Sequence, residues 1–293
     1  YNRYLNRRGY VVRKKGITSE QLDKLRKDLC VSPYNAVKMT LKKKYADNTD
    51  DDSDSFKVYQ ENESKLYLPR YYAEKVFGKA EYDELCKAGV RLPSKLVFHG
   101  SLREPQQNVA RDTLQHLESK GGGILQLRCG FGKTIIALYL VSQLQMKAIV
   151  LVHKEFLMNQ WKERIEEFLP FAKVGTLQAK TVDVENKDIV IGMLQSVSTG
   201  KYDQKVLEPF GLAIFDECHH LGAAVFSKAM GLVRTRYMLG LSATPDRKDR
   251  LRKVFDWQLG SVICKVESKV TQQVDVKTVS FEDPDVTTDD VII

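Results

Sequence analysis

From about residue 96 onward the chain alternates short, wholly apolar runs with longer stretches in which apolar residues recur every three or four positions. The runs 124–127, 148–152, 189–193, 212–215 and 237–241 predict buried strands, and stretches such as 133–144 and 156–168 predict amphipathic helices between them. Strands that are apolar throughout, separated by helices, predict a parallel sheet covered on both faces, an α/β architecture. In such a sheet ligands bind beyond the carboxyl ends of the strands, so chemistry is sought in the residues that follow each apolar run.

The first 95 residues pattern differently. Leu22, Leu25 and Leu29 line one face of a helix predicted over 17–29, with Thr18 and Gln21 placed as a capping box and Pro33 closing it. Residues 56–60 and 65–68 read as a hairpin, and 70–77 and 82–88 as short helices. The run 46–55 holds Asp47, Asp50, Asp51, Asp52 and Asp54 with no basic residue, so self-repulsion predicts an exposed, mobile loop. The expected organisation is a small α+β domain over 1–95, an α/β lobe over 96–265, and the start of a linker over 266–293.

Composition sharpens this picture. A chain of 293 residues, 43% hydrophobic and 29% charged, has enough apolar material for two packed cores. No apolar run approaches the roughly 18 residues of a membrane span, and neither membrane insertion nor secretion is expected. The five cysteines (Cys30, Cys86, Cys129, Cys218, Cys264) are scattered without a CxxC pair, which predicts neither a disulfide framework nor a structural zinc site and fits a reducing, intracellular setting. The net charge of +8 is unevenly placed: residues 1–45 carry +10 and the remainder −2. Tyr1, Tyr4, Tyr10, Tyr34 and Tyr45 are interleaved with that positive charge, a pattern that suits phosphate neutralisation and base stacking, or else a solvated basic face. A start at Tyr1 and an apolar end at Val291, Ile292 and Ile293 predict a piece of a longer chain.

Three clusters after strands carry candidate chemistry. Arg128-Cys129-Gly130-Phe131-Gly132-Lys133-Thr134 joins the first strand to a helix. Triphosphate binding needs backbone N–H groups curled around phosphates, a helix N-terminus, a Lys for the β/γ oxygens and a hydroxyl for Mg²⁺. This loop offers all four, although Leu127 stands where the strict pattern has its first glycine. Asp216-Glu217-Cys218-His219-His220 follows another strand. There an Asp can hold Mg²⁺ through water and the neighbouring Glu can polarise an attacking water; surface acids and a metal cluster are the rival readings. Against the metal cluster, consecutive residues do not readily converge on one ion and HExxH is absent. Ser242-Ala243-Thr244-Pro245 is in isolation an ordinary turn, and gains meaning from following the other two.

In this order and at these spacings, Gly130 to Thr134, Asp216-Glu217-Cys218-His219 and Ser242-Ala243-Thr244 closely resemble motifs I, II and III of the superfamily 2 helicases and translocases. Supporting matches are Leu102-Arg103-x-x-Gln106 upstream of the loop, Val150-Leu151-Val152-His153-Lys154 with Leu157 and Gln160-Trp161, which resembles motif Ia, and Gln195-Ser196 where a strand-contacting motif is expected. The Cys-Gly-Phe-Gly-Lys-Thr loop, with 242–249 and Val254-Phe255-x-Trp257-x-Leu259-Gly260, is most similar to the XPB/UvsW-type DNA translocases. The basic first domain with Pro69-Arg70-Tyr71-Tyr72 resembles helicases of large DNA viruses, the poxvirus transcript-release helicase among them.

The resemblance implies a RecA-like P-loop lobe and ATP with Mg²⁺ as ligands. Lys133 would contact the β/γ-phosphates, Thr134 and Asp216 the Mg²⁺, and Glu217 the attacking water. Gln106 and Arg103 would serve the adenine end, with Gly130, Phe131 and Gly132 in the phosphate cradle. His219, Ser242 and Thr244 would couple phosphate state to closure, and His153, Lys154, Gln195 and Ser196 would contact nucleic acid, DNA before RNA. Transcription or repair machinery would be the protein partner, in a viral factory or virion if the source is viral and in the nucleus if cellular. The departures are Leu127 at the first glycine, Arg250 where Gly is expected, and the lack of anything resembling motifs IV to VI after Pro245. The implied second lobe with its arginine fingers is therefore not in this chain, and slow turnover without unwinding is expected of these residues alone. The competing classes are a P-loop phosphotransferase, a nucleic-acid-binding module without turnover, an ATPase that strips transcripts or proteins, and the motor subunit of a restriction system.

Overall fold

The computed structural model of the chain describes residues 1–32, 55–217, 222–243 and 252–266. The acidic run, Pro33, His219, Thr244, Arg250 and the linker after 266 lie outside the described residues. The first domain opens with an antiparallel pair, β1 (Arg3–Asn6) and β2 (Gly9–Arg13), followed by helix α1 (Ser19–Asp28). The Thr18 hydroxyl accepts from the Gln21 N–H and the Gln21 side chain accepts from the Thr18 N–H, so the capping box forms as its spacing requires.

Two expectations in this domain are corrected. The hairpin is made by β5 (Gln60–Glu61) and β6 (Lys65–Leu68), whereas β4 (Phe56–Lys57) pairs with β3 (Cys30–Val31) in a separate two-stranded sheet. Residues 82–88 are not one helix. Tyr82–Asp83 form β7, which pairs parallel with β1, and only Leu85–Lys87 coil, as a single 3-10 turn. With strands this short, the partner rather than the local pattern decides the conformation. Helix α2 (Arg70–Phe77) forms as expected after Pro69. The five-stranded sheet has the order β5-β6-β2-β1-β7.

The second lobe starts with α3 (Glu104–Lys120), which the sequence reading did not assign, and then β8 (Gly122–Leu127), α4 (Lys133–Leu144), β9 (Ala148–Val152) and α5 (Glu155–Phe168). There follow β10 (Val174–Gln178), β11 (Thr181–Val182), β12 (Ile189–Met193), α6 (Leu194–Ser198), α7 (Gln204–Leu207) and β13 (Leu212–Phe215). The lobe ends with α8 (Ala223–Leu232), β14 (Tyr237–Ser242), α9 (Arg252–Leu259) and β15 (Val262–Val266). The sheet order is β11-β10-β12-β9-β13-β14-β8-β15, parallel throughout except for β11. This is a RecA-like α/β lobe.

Alternation along each strand divides the core in two. Leu125, Leu127, Val150, Val152, Ile214 and Leu239 face α3, α4 and α5. Ile124, Ile149, Leu151, Ala213, Phe215 and Met238 face α8, α9 and, continuously with them, the apolar side of the first domain. Both faces are covered, which is why these strands carry no polar alternation.

Part of the first domain's positive charge is committed to structure. The Arg7 guanidinium donates to the carbonyls of Arg234 and Glu208, while Arg234, itself buried, donates back to the Arg8 carbonyl and to Met230 O and Gln258 Oε1. Arg26 and Lys14 both pair with Glu61, and Tyr10 is wholly buried. These residues join the two domains and brace the first, so they are not a free stacking and phosphate surface. Among the described residues no helix is long and apolar enough to cross a membrane.

Candidate functional site

Because β8, β13 and β14 are parallel neighbours, their carboxyl ends deliver three loops to one edge of the sheet. The loop after β8 turns sharply at Gly130 (φ +75°) and Gly132 (φ +100°) before α4 begins at Lys133. Both angles lie where a Cβ is strained, but the surroundings differ. A Cβ on Gly130 would meet open space, whereas one on Gly132 would lie 2.3 Å from the Gln106 amide nitrogen.

Gln106 is almost wholly buried in the first turn of α3. Its Nε2 donates to the Phe131 carbonyl at 2.7 Å and its Oε1 accepts from the Arg103 N–H at 2.9 Å, while Arg103 Nη2 also donates to the Phe131 carbonyl, at 2.8 Å. The upstream pair expected at the adenine end thus lies against the loop itself. Leu127, in the place of the missing glycine, is fully buried in β8. The Lys133 ammonium lies 3.1 Å from Glu217 Oε1 and 3.4 Å from the Leu127 carbonyl.

Asp216 and Glu217 follow β13 directly, and Glu217 takes a left-handed φ of +47°, which turns the chain away from the strand. Asp216 is buried, and its Oδ2 accepts the indole N–H of Trp161 at 2.8 Å. Burial pushes the Asp216 carboxyl above its usual range, assisted by the neighbouring Glu217 charge; the Trp161 hydrogen bond and the Lys133 charge pull the other way. Asp216 and Glu217 thus set two carboxyl groups near the Lys133 ammonium, hard oxygens of the kind that hold a divalent cation. Thr134 is the second residue of α4, directly after Lys133. Among the described residues no group of three or more His, Cys, Asp or Glu could hold a metal by itself; Cys218, His219 and His220 lie outside the described residues. Ser242 ends β14 and is buried, in register with Gln126 of β8.

A second group forms at the ends of β9 and β12. Gln195 Nε2 donates to the His153 carbonyl at 2.8 Å, Ser196 Oγ accepts from the Ala179 N–H at 3.1 Å, and Lys154 and Gln195 are exposed. His153 and Gln195, far apart in sequence, are brought together by this bond, with Lys154 and Ser196 adjacent to them in the chain. In the sequence Trp161 stands only within the Gln160-Trp161 motif match. Its signal was a lone tryptophan in the stripe Leu157, Met158, Trp161, Ile165 of α5, whose N–H needs a buried acceptor.

Comparison with known proteins bears on the family and the fold. A family model described as type III restriction enzyme, res subunit, matches residues 99–247. A protein of Acanthamoeba polyphaga mimivirus, provisionally named ATP-dependent RNA helicase L396, is 32% identical over 273 residues, covering 93% of this chain and 51% of its own. The provisionally named helicase 161L of Invertebrate iridescent virus 6 is 33% identical over 162 residues, covering 54% of this chain and 37% of its own. The chain thus spans about half or less of the length of these relatives. Among solved structures, the UvsW helicase of bacteriophage T4 superposes with a TM-score of 0.56 at 16% identity, covering 84% of this chain and 93% of that one. The loop, the paired acids and the match across 99–247 together place the chain in the type III restriction enzyme res-subunit family, within the superfamily 2 helicases.

Proposed function

We propose that this chain is the ATP-binding part of a nucleic-acid motor that hydrolyses ATP to move along or remodel strands. The observation that carries the reading is the Lys133 ammonium 3.1 Å from Glu217, with buried Asp216 beside it, at the end of a glycine-turned loop. In this reading Lys133 leaves Glu217 for the β/γ-phosphates when nucleotide enters, which frees the Glu217 carboxylate to orient and deprotonate water. The N–H groups of the loop and of the first turn of α4 hold the phosphate oxygens. Thr134 and Asp216 are the residues that would hold Mg²⁺, which when bound neutralises charge developing on the phosphates. Gln106 and Arg103 support the loop from behind and serve the nucleoside end. Ser242, with His219 and Thr244, would pass phosphate state to the strand track of His153, Lys154, Gln195 and Ser196.

An arginine supplied from elsewhere typically gives about 10³ to 10⁵ in phosphoryl-transfer rate, and no motif in these 293 residues supplies one. The chain alone therefore binds ATP and turns it over slowly, and directional movement belongs to the whole protein. DNA is the preferred track because the loop and its flanking motifs are most similar to UvsW-type translocases. The name carried by the mimivirus relative favours RNA, as the second reading.

Two variants test the proposal. K133A should lose ATP binding, and E217Q should bind ATP but not hydrolyse it, while both keep their affinity for strands. Undiminished turnover in E217Q would refute the assignment. Competition among single-stranded DNA, duplex DNA and RNA for stimulation of the whole protein's ATPase decides the track.

A further inference from the structure

The helix that follows the strand track also reaches the catalytic carboxylates. Trp161 heads the largest fully buried side chains, at 1% exposure, and sits among Leu157, Met158 and Ile165 of α5. Its one polar group is the indole N–H, a donor with no acceptor capacity. That group donates to Asp216 Oδ2 at 2.8 Å, across 55 residues of sequence. A core tryptophan could satisfy its N–H on any main-chain carbonyl; this one meets an acid that the proposed chemistry needs. With Oδ2 held, rotation of the Asp216 carboxylate is fixed, and its second oxygen keeps one direction.

We infer that Trp161 is a positioning residue: its indole N–H holds the Asp216 carboxylate in the orientation that receives Mg·nucleotide. The inference rests on the ATP·Mg reading above and adds to it a residue that no motif assigns to that task. The charge-assisted bond is stronger than a neutral one and fixes geometry at a site where small misplacements are expensive. Because α5 begins at Glu155, directly after His153 and Lys154, the same contact joins the strand track to the carboxylate through a single helix.

The chain has two tryptophans, Trp161 and Trp257, so the W257F chain reports on Trp161 alone. Its single indole N–H resonance should lie downfield and exchange slowly, and D216N should move it upfield; an indole resonance unchanged by D216N would overturn the inference. The second measurement is ADP binding with and without Mg²⁺. W161F fills most of the same volume without the donor. It should bind Mg²⁺-free ADP like wild type and lose roughly 10- to 100-fold in Mg²⁺ affinity, the usual effect of removing a group that orients a metal ligand. Wild-type Mg²⁺ dependence in W161F would overturn the inference while leaving the functional reading in place. ADP binding by the wild-type chain that ignores Mg²⁺ would overturn both. The indole measurement stays valid if W161F fails to fold.

Discussion

Alanine at the two loop glycines separates backbone strain from a specific contact. Gly130 and Gly132 both hold positive φ, at +75° and +100°, and a Cβ in that region costs about 1–2 kcal/mol. For G130A nothing further is expected, since its Cβ meets open space. In G132A the Cβ would sit 2.3 Å from Gln106 Nε2, so the Gln106 amide has to move. That movement breaks the 2.7 Å bond to the Phe131 carbonyl in a buried setting, at about 1–3 kcal/mol. G132A should therefore be less stable than G130A by about 1–3 kcal/mol. Urea unfolding of the two variants measures the difference, with Q106A and the Q106A/G132A double variant closing a cycle. Once Gln106 is truncated, the Gly132 substitution should cost only its backbone share, so the two changes should be less than additive. Equal destabilisation by G130A and G132A, or strict additivity of G132A with Q106A, would refute the reasoning. Nucleotide affinity should follow the same order, since the loop that Gln106 supports is the one proposed to hold the phosphates.

Other outcomes follow from the remaining geometry. R234M should destabilise the chain by about 1–3 kcal/mol, because the carbonyls of Arg8 and Met230 lose their buried donor. Relief from burying a charge, which has pulled Arg234 down to about 10, opposes this in part; unchanged urea unfolding would refute the latch. Glu61 is held down to about 2 from 4.5 by hydrogen bonds from Arg26 and Lys14. A depressed carboxylate stabilises the fold above pH 4.5 and loses that contribution as pH falls towards 2. E61Q should therefore be less stable than wild type at neutral pH, by no more than about 1 kcal/mol for so solvated a pair. The gap should close in acid and shrink in high salt, and an E61Q deficit that grows on acidification would contradict the assignment.

The lobe was legible in the sequence because its strands are buried on both faces: 148–152, 189–193 and 212–215 carry no polar residue to blur their limits, and the structure returns the same bounds. The loop and the paired acids were legible because phosphate chemistry restricts residue types at fixed spacing. The first domain resisted for the opposite reason. Its strands run from two to five residues and carry Arg3 and Arg13, so charge that braces a sheet read as charge awaiting a partner. Arg7 and Arg234 illustrate this, since their mutual latch spans 227 residues and no local pattern announces it. Helix α3 was missed although Gln106 was singled out within it. Its apolar face is interrupted by buried Gln106 and Thr113, each satisfied by a carbonyl at 2.7 and 2.6 Å. The bond from Trp161 to Asp216 was invisible because it spans 55 residues and exists only once α5 packs on the sheet near the end of β13.

Lys133, Asp216 and Glu217 are proposed to form an ATP-hydrolysing site driven by nucleic acid. The most direct measurement is steady-state ATP hydrolysis by the whole protein containing this chain, as wild type and as E217Q, with single-stranded DNA, duplex DNA or RNA added in turn. The account predicts that one polymer strongly stimulates turnover and that E217Q abolishes turnover while keeping ATP and strand binding. Hydrolysis in E217Q equal to wild type, or turnover indifferent to every polymer, would contradict it.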